Sequence, residues 1–405
     1  MEHYDLVLSG GRVIDPGQSL DGYYDVAIRD RTIAAIAPKL PPHETKETLS
    51  VTDQLVCPGL IDMHVHAYEW VTDFGILADD IGIHAGATTI VDQGSCGPLT
   101  FLGFKANIVS HARTDVRCFS SVNLAGALKG GMGNPALHGP EMVDLDALLQ
   151  MADEHPEIVR GFKVHGESGA LSRWNTQVLD LARQASDAAD LPLYVHTGEL
   201  LAVIEENRPN PERVIDYILP YLRPGDLLAH CYSCREDGLM GDRLSPPPGL
   251  VEAVENGVRL DLGYGINFNF DVARRMMAHG IFPYTISSDV HGDFDTPHND
   301  ATLNYSLCGA LSKLIALGMG LREAIAAATI HPAKVLRAES EIGTLEVGSR
   351  ADVTVLEWSD APWVCRDSIG KELIAPQKLS PTWVVRAGQL IQPNRRLLRD
   401  LAAVS

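Results

Sequence analysis

Apolar and polar residues alternate in the first part of the chain in short runs broken by turns: Asp5 to Leu8, Arg12 to Ile14, Tyr24 to Ile28, Thr32 to Ile36. A period of two sends successive side chains to opposite faces of a strand, so this segment predicts strands and hairpins. The texture returns late, in Gly343-Thr344-Leu345, Asp352 to Leu356 and Trp383 to Ala387. Between these ends, short apolar runs alternate with longer helical periods. Eight runs read as strands: Gly59–His64, Thr88–Asp92, Arg117–Val122, Val159–Val164, Leu193–His196, Asp226–Ala229, Arg259–Leu262 and Tyr284–Ser288. The clearest helices are Gln177–Ala189, Glu212–Leu222, Leu250–Asn256 and Val272–His279. In the first, Val178, Leu181, Ala182 and Ala185 share one face and Asp180, Arg183, Gln184 and Asp187 the other. Pro246-Pro247-Pro248 reads as a stiff loop.

Strands alternating with helices in this number meet the requirement of a closed parallel (β/α)8 TIM-like barrel, an α/β fold. The two β-rich ends predict a small β-sandwich domain built from both ends of the chain. The expected division is 1–56 for its first part, 57–342 for the barrel and 343–405 for its second part. Three connections after strands are long: Leu124–Val143, Cys231–Gly249 and Val290–Ala301. In such a barrel they lie at the C-terminal mouth, where enzymes of the fold build their sites.

Composition narrows the partners. The chain has 405 residues, 45% hydrophobic and 21% charged, the balance of a folded protein with a sizeable core. Its net charge of −20 disfavours nucleic acid and anionic membrane, both of which are held through basic surface. A small-molecule substrate is unaffected by this, since one local arginine can hold a carboxylate on an acidic protein. The N-terminal MEHYDLVLSG lacks a basic stretch followed by an apolar run, so no secretory leader is expected, and no apolar run reaches the ~20 residues of a membrane span. Seven scattered cysteines suggest reduced thiols and a cytoplasmic protein. Barrels of this kind often associate, so a homo-oligomer is an open expectation.

The chemistry-bearing residues recur at strand ends. His64 and His66, two apart at the end of the first barrel strand, put both imidazoles on one face. Such nitrogens suit zinc, manganese or iron. Lys163 ends the fourth strand, His196 the fifth, His230 the sixth and Asp289 the eighth. Each has a bland reading alone, as a satisfied core histidine, a paired lysine or a helix cap. Five matched strand ends point to a metal site.

With these positions on the page, the chain resembles the amidohydrolase superfamily over nearly its whole length. The resemblance also rests on the phrase Val56-Cys57-Pro58-Gly59-Leu60-Ile61-Asp62-Met63-His64-Val65-His66 and on Gly343-Thr344-Leu345-Glu346-Val347-Gly348-Ser349-Arg350-Ala351-Asp352-Val353. It implies a metal-dependent hydrolase with two divalent ions, expected to be Zn2+. His64, His66 and Asp289 would hold one ion and His196 and His230 the other, with Lys163, N6-carboxylated, bridging them. A hydroxide between the metals would be the nucleophile and Asp289 the proton carrier. Cys96, just past the second strand, is a competing bridge, as in relatives resembling D-aminoacylases. Cys231 and Cys234 form a Cys-x-x-Cys without the second pair that a structural zinc needs.

Substrate is less legible. Relatives resembling dihydroorotases carry an arginine soon after the His-x-His; here the run is His66-Ala67-Tyr68-Glu69-Trp70. Lys163 counts against a mononuclear deaminase. The phrases Ser172-Arg173-Trp174-Asn175, Val195-His196-Thr197-Gly198-Glu199 and Thr285-Ile286-Ser287-Ser288-Asp289-Val290-His291 look like a dihydroorotase-like branch that deacetylates α-acetylated carboxylates. In that reading Arg173 binds the substrate carboxylate, Tyr68 walls the pocket, and His291 and His165 face the mouth. Three readings follow: hydrolysis of an acyclic amide or ester beside a carboxylate, hydrolysis of a cyclic amide, imide or lactone, and a binding protein that has lost the chemistry.

Overall fold

The computed structural model describes residues 2–41, 43–128, 132–292 and 304–394. Seven parallel strands make the central sheet: β6 (Leu60–Val65), β7 (Ala87–Gln93), β8 (Asp115–Ser121), β9 (Val159–His165), β10 (Leu193–His196), β11 (Leu227–Leu228) and β12 (Arg259–Leu260), each hydrogen-bonded to the next in chain order. The sheet curls. The expected eighth strand, Tyr284–Ser288, forms no ladder; single parallel bridges join Asp261 to Thr285 and, just beyond its end, Val65 to Val290. The Ser288 N–H donates to Asp62 Oδ1 at 2.9 Å, and the Asp289 N–H to the His64 carbonyl at 2.7 Å.

The predicted helix Gln177–Ala189 forms with those bounds and buries Val178, Ala182 and Ala185 as expected; Leu179 is buried where Leu181 was expected, and Arg183, expected on the outer face, is buried on the Asp226 carboxylate. Val272–His279 becomes Phe270–Ala278, capped by Asn269, whose side chain accepts from the Asp271 and Val272 N–H groups. Glu212–Leu222 is broken: only Val214–Ile218 is α-helical, between 3-10 turns at Pro211–Arg213 and Leu219–Tyr221. Pro220 has no N–H to donate to an earlier carbonyl, so the α ladder cannot continue through it. The proline run is not all loop, since Pro248 opens the helix Pro248–Glu255, where a missing N–H costs nothing.

Both chain ends build a second sheet. It contains β1 (Glu2–Asp15), β2 (Leu20–Arg29), β3 (Thr32–Ala37), β4 (His43–Ser50) and β5 (Leu55–Pro58) with β13 (Val353–Ser359), β16 (Lys378–Arg386) and β17 (Gln389–Ile391). The hairpin of β14 (Trp363–Arg366) and β15 (Glu372–Ala375) lies between β13 and β16 in sequence. Leu6, Leu8, Val13, Val26, Val353, Val355 and Val385 pack together as this sheet's own core. The strand expected at Gly343-Thr344-Leu345 does not form. The buried Asp15 carboxylate takes the Thr344 hydroxyl at 3.0 Å and the Leu345 N–H at 2.7 Å instead. Most of the Val290–Ala301 connection lies outside the described residues, as do three residues of Leu124–Val143. Among the described residues no helix is long and apolar enough to cross a membrane.

Candidate metal centre

Every predicted metal-ligating residue opens on one cavity of about 220 Å³ at the C-terminal ends of the strands: His64, His66, Lys163, His196, His230 and Asp289 all line it. His64 Nε2 lies 3.3 Å and His66 Nε2 3.6 Å from Asp289 Oδ1. His196 Nδ1 and His230 Nε2 approach to 3.0 Å. Donor atoms of His64, His230 and Asp289 all fall within 4.8 Å of one another, so the two expected ligand groups share one cluster.

The outward ring nitrogens are each tethered. His64 Nδ1 meets the Tyr194 hydroxyl at 2.9 Å, His66 Nδ1 the Ser95 hydroxyl at 3.0 Å, His196 Nε2 the Gly198 carbonyl at 3.1 Å and His230 Nδ1 the Gly263 carbonyl at 2.9 Å. A carbonyl can only accept, so His196 and His230 carry their protons outward and turn lone pairs inward. That is the outer hydrogen bonding a metal-binding histidine needs. Close approach requires glycine at 263, where φ is +48° and a Cβ would sit 2.5 Å from His230 Nδ1. His230 (φ 57°) and Asp289 (φ 47°) are themselves in the left-handed region, a backbone strain that gathers at functional sites.

Electrostatics favour the same use. Burial drives His64 and His196 well below the usual imidazole range and His230 down to about 4, leaving neutral rings with free lone pairs. Burial alone would raise the Asp289 carboxyl, but the His66 hydrogen bond and the nearby histidine charges outweigh it and hold the group at about 2. Burial also lowers Lys163 to about 8, against the pull of Asp289, Asp261 and Asp92. Its Nζ sits 4.4 Å above the Tyr194 ring, and no carboxylate lies within ion-pair distance among the described residues. Neutral imidazoles, a carboxylate and a lysine shifted towards its free amine fit a divalent-metal site.

Cys96 does not line the cavity; the adjoining Cys118 thiol and burial push its own thiol well above the usual range. Cys231 is buried, Cys234 exposed, and both are free thiols. The expected substrate contacts divide. His291 and His165 line the cavity. Tyr68 does not: its hydroxyl donates to the Thr100 carbonyl and its ring packs on Phe104. Arg173 is also absent from the lining, donating instead to the Ala202 carbonyl at 3.0 Å.

The arginine at the cavity is Arg235, which sequence reading missed. It is exposed and makes no ion pair among the described residues, because its acidic neighbours Glu199 and Glu236 both bind Arg208. Asn123, His138 and Asn267 were missed too, although the first two belong to the third strand end and its long connection. Phe74, Met132, Leu200 and Ile266 give the cavity apolar wall.

A curled parallel sheet with strand-end imidazoles, a lysine and an aspartate around one pocket defines a metal-dependent hydrolase of the TIM-barrel type. Residues 55–385 match the amidohydrolase family, and the chain belongs to it. A deacetylase of Agrobacterium fabrum is 29% identical over 375 residues, covering 91% of this chain and 87% of that protein. A deacetylase of Enterococcus faecalis is 27% identical over 391 residues, covering 96% and 99%. A solved structure described as a dihydroorotase superposes with a TM-score of 0.82 at 28% identity, covering 96% of this chain and 99% of that one. The family uses divalent metal, and the protein is a hydrolytic enzyme.

Proposed function

We propose that the protein deacetylates small carboxylates carrying an N- or O-acyl group on the α carbon. His64, His66 and Asp289 would hold one zinc ion and His196 and His230 the other, with Lys163, as its N6-carboxylate, a ligand to both. The observation that carries this reading is the convergence of all six side chains on one cavity, their outward nitrogens tethered. When bound, the ions polarise the scissile carbonyl and activate water.

The chain's own residues supply the rest. Lys163, lowered to about 8, offers its free amine to carbon dioxide; the N–C bond forms, one proton leaves, and the product is an anion with two oxygens. Asp289, a carboxylate at neutral pH, takes a proton from the attacking water and passes it to the leaving nitrogen or oxygen. Arg235 replaces Arg173 as the group that engages the substrate carboxylate, since it lines the cavity and makes no ion pair among the described residues. Phe74 and Ile266 receive an apolar α substituent. Segment 284–290 acts as the eighth strand and closes the barrel of residues 57–342. Residues 1–56 and 343–405 form a two-part small β-sandwich.

The test is acetate release by zinc-loaded protein from paired R and S forms of N-acetyl amino acids and O-acetyl hydroxy acids. Release with preference for one hand is expected, and the better leaving group names the substrate. No release with metal bound would overturn the deacetylase reading. The likeness to a dihydroorotase structure favours cyclic amides and imides as the next substrates.

A further inference from the structure

The four histidines are not held alike. His196 and His230 turn outward to backbone carbonyls, those of Gly198 and Gly263. His66 and His64 each meet a hydroxyl that leads on to a buried carboxylate, Ser95 to Asp92 and Tyr194 to Asp261. His64 Nδ1 meets the Tyr194 hydroxyl at 2.9 Å, which reaches Asp261 Oδ2 at 2.6 Å; both partners are fully buried and neither lines the cavity.

The protons on this line can be placed. Asp261 accepts from the Thr285, Ser287 and Tyr194 hydroxyls and from the Gly263 N–H. Three of these donors converge on Oδ2 and Thr285 holds Oδ1, the surroundings of a carboxylate that accepts from all four. The single Tyr194 proton therefore points to Asp261, and His64 must donate its Nδ1–H to the Tyr194 oxygen. Its lone pair is then fixed on Nε2, the atom 3.3 Å from Asp289. The face of the same Tyr194 ring supports Lys163 at 4.4 Å, so one side chain touches two ligands.

We infer that Tyr194 and Asp261 are positioning residues that lock the His64 tautomer and set the affinity of one metal ion, the ion held by His64. The inference rests on the metal-site reading above for its second half only; the tautomer is a property of the chain without metal.

The experiment uses the full chain stripped of metal and labelled with 15N-histidine. Long-range imidazole spectra of the wild type should show His64 as the Nδ1–H tautomer. Tyr194→Phe, which keeps the ring under Lys163, should shift His64 towards a tautomer mixture while the signals of His196 and His230 hold. On titration with zinc against a chelator, one ion should weaken by about 10- to 100-fold and the other keep its affinity. Asp261→Asn should repeat the His64 effect if it folds, and Ser95→Ala should leave the His64 tautomer as it is. An unchanged His64 tautomer in Tyr194→Phe would overturn the relay, and unchanged affinity of both ions would overturn its influence on metal. A wild type that binds no zinc would sink the metal reading while the spectra still judge the relay.

Discussion

Two polar clusters, one partly and one largely buried, lie at opposite ends of the β8 strand. At its start, Asp115 and Arg117 join Arg350, Glu341, Asp352 and Arg386 in an ion-pair network: Arg350 reaches Asp115 at 2.7 Å and Asp352 at 2.6 Å, and Arg117 reaches Glu341 at 3.2 Å. The network ties the barrel to the two-ended sheet. Beyond the far end of the strand lie Lys163 and the histidines. Both clusters shift pKa values strongly, so a perturbed titration by itself does not mark an active site. The difference is in how charge is met. In the network, burial would raise Asp115, but Arg117, Arg350 and Arg386 outweigh it and hold it at about 2. At the cavity, Lys163 has no carboxylate within ion-pair distance among the described residues, His196 and His230 turn lone pairs towards one another, and Arg235 lines the wall. One cluster meets charge with opposite charge, and the other gathers lone pairs and a carboxylate around a cavity.

The comparison breaks first at Asp289, the proposed proton carrier. Asp289→Asn should lower kcat by about 10²- to 10⁴-fold, the usual span for a lost acid–base group, with the thermal midpoint of unfolding little changed. Full turnover would move the proton chemistry elsewhere.

The opposite behaviour is expected of the network. Arg350→Met leaves the Asp115 carboxylate buried without its nearest cation and should cost about 3 kcal/mol by denaturant unfolding, with activity per folded molecule retained. The pH window follows in sign. Asp115 lies below its ordinary 3.8, so its contribution is complete above about pH 4 and lost as pH falls towards 2. Arg350→Met should flatten that acid limb.

A smaller effect is expected of Arg235→Met: a KM about 10- to 100-fold higher for carboxylate substrates and a kcat near wild type, the loss of one charge-assisted hydrogen bond. An equal effect on an uncharged ester would show that Arg235 does not read the carboxylate.

Much of this division was legible in the residues and part was not. The Gln177–Ala189 periodicity returns with its own bounds, because an amphipathic stripe against a sheet is a local signal. The strand-end positions of Lys163, His196 and His230 bring them to one cavity because parallel strands finish on one face of the barrel. Arg235 and His138 lie in long connections, where no period tells which side chain faces inward. Arg173 misled for a related reason: its place in the helix Ser168–Trp174 aims its guanidinium at Ala202. Gly343-Thr344-Leu345 has strand texture, yet the Asp15 carboxylate, 329 residues from Thr344 and 330 from Leu345, captures the hydroxyl and the backbone N–H. Such long-range capture leaves no mark in a local pattern.

The central claim is that these strand ends hold two ions through a lysine bridge. The most direct measurement is zinc content per chain after dialysis with zinc and bicarbonate, for the wild type, Lys163→Ala and Cys96→Ala. Two ions in the wild type and in Cys96→Ala, with fewer than two in Lys163→Ala, are predicted. Two ions retained in Lys163→Ala and lost in Cys96→Ala would contradict the account and make the cysteine the bridge.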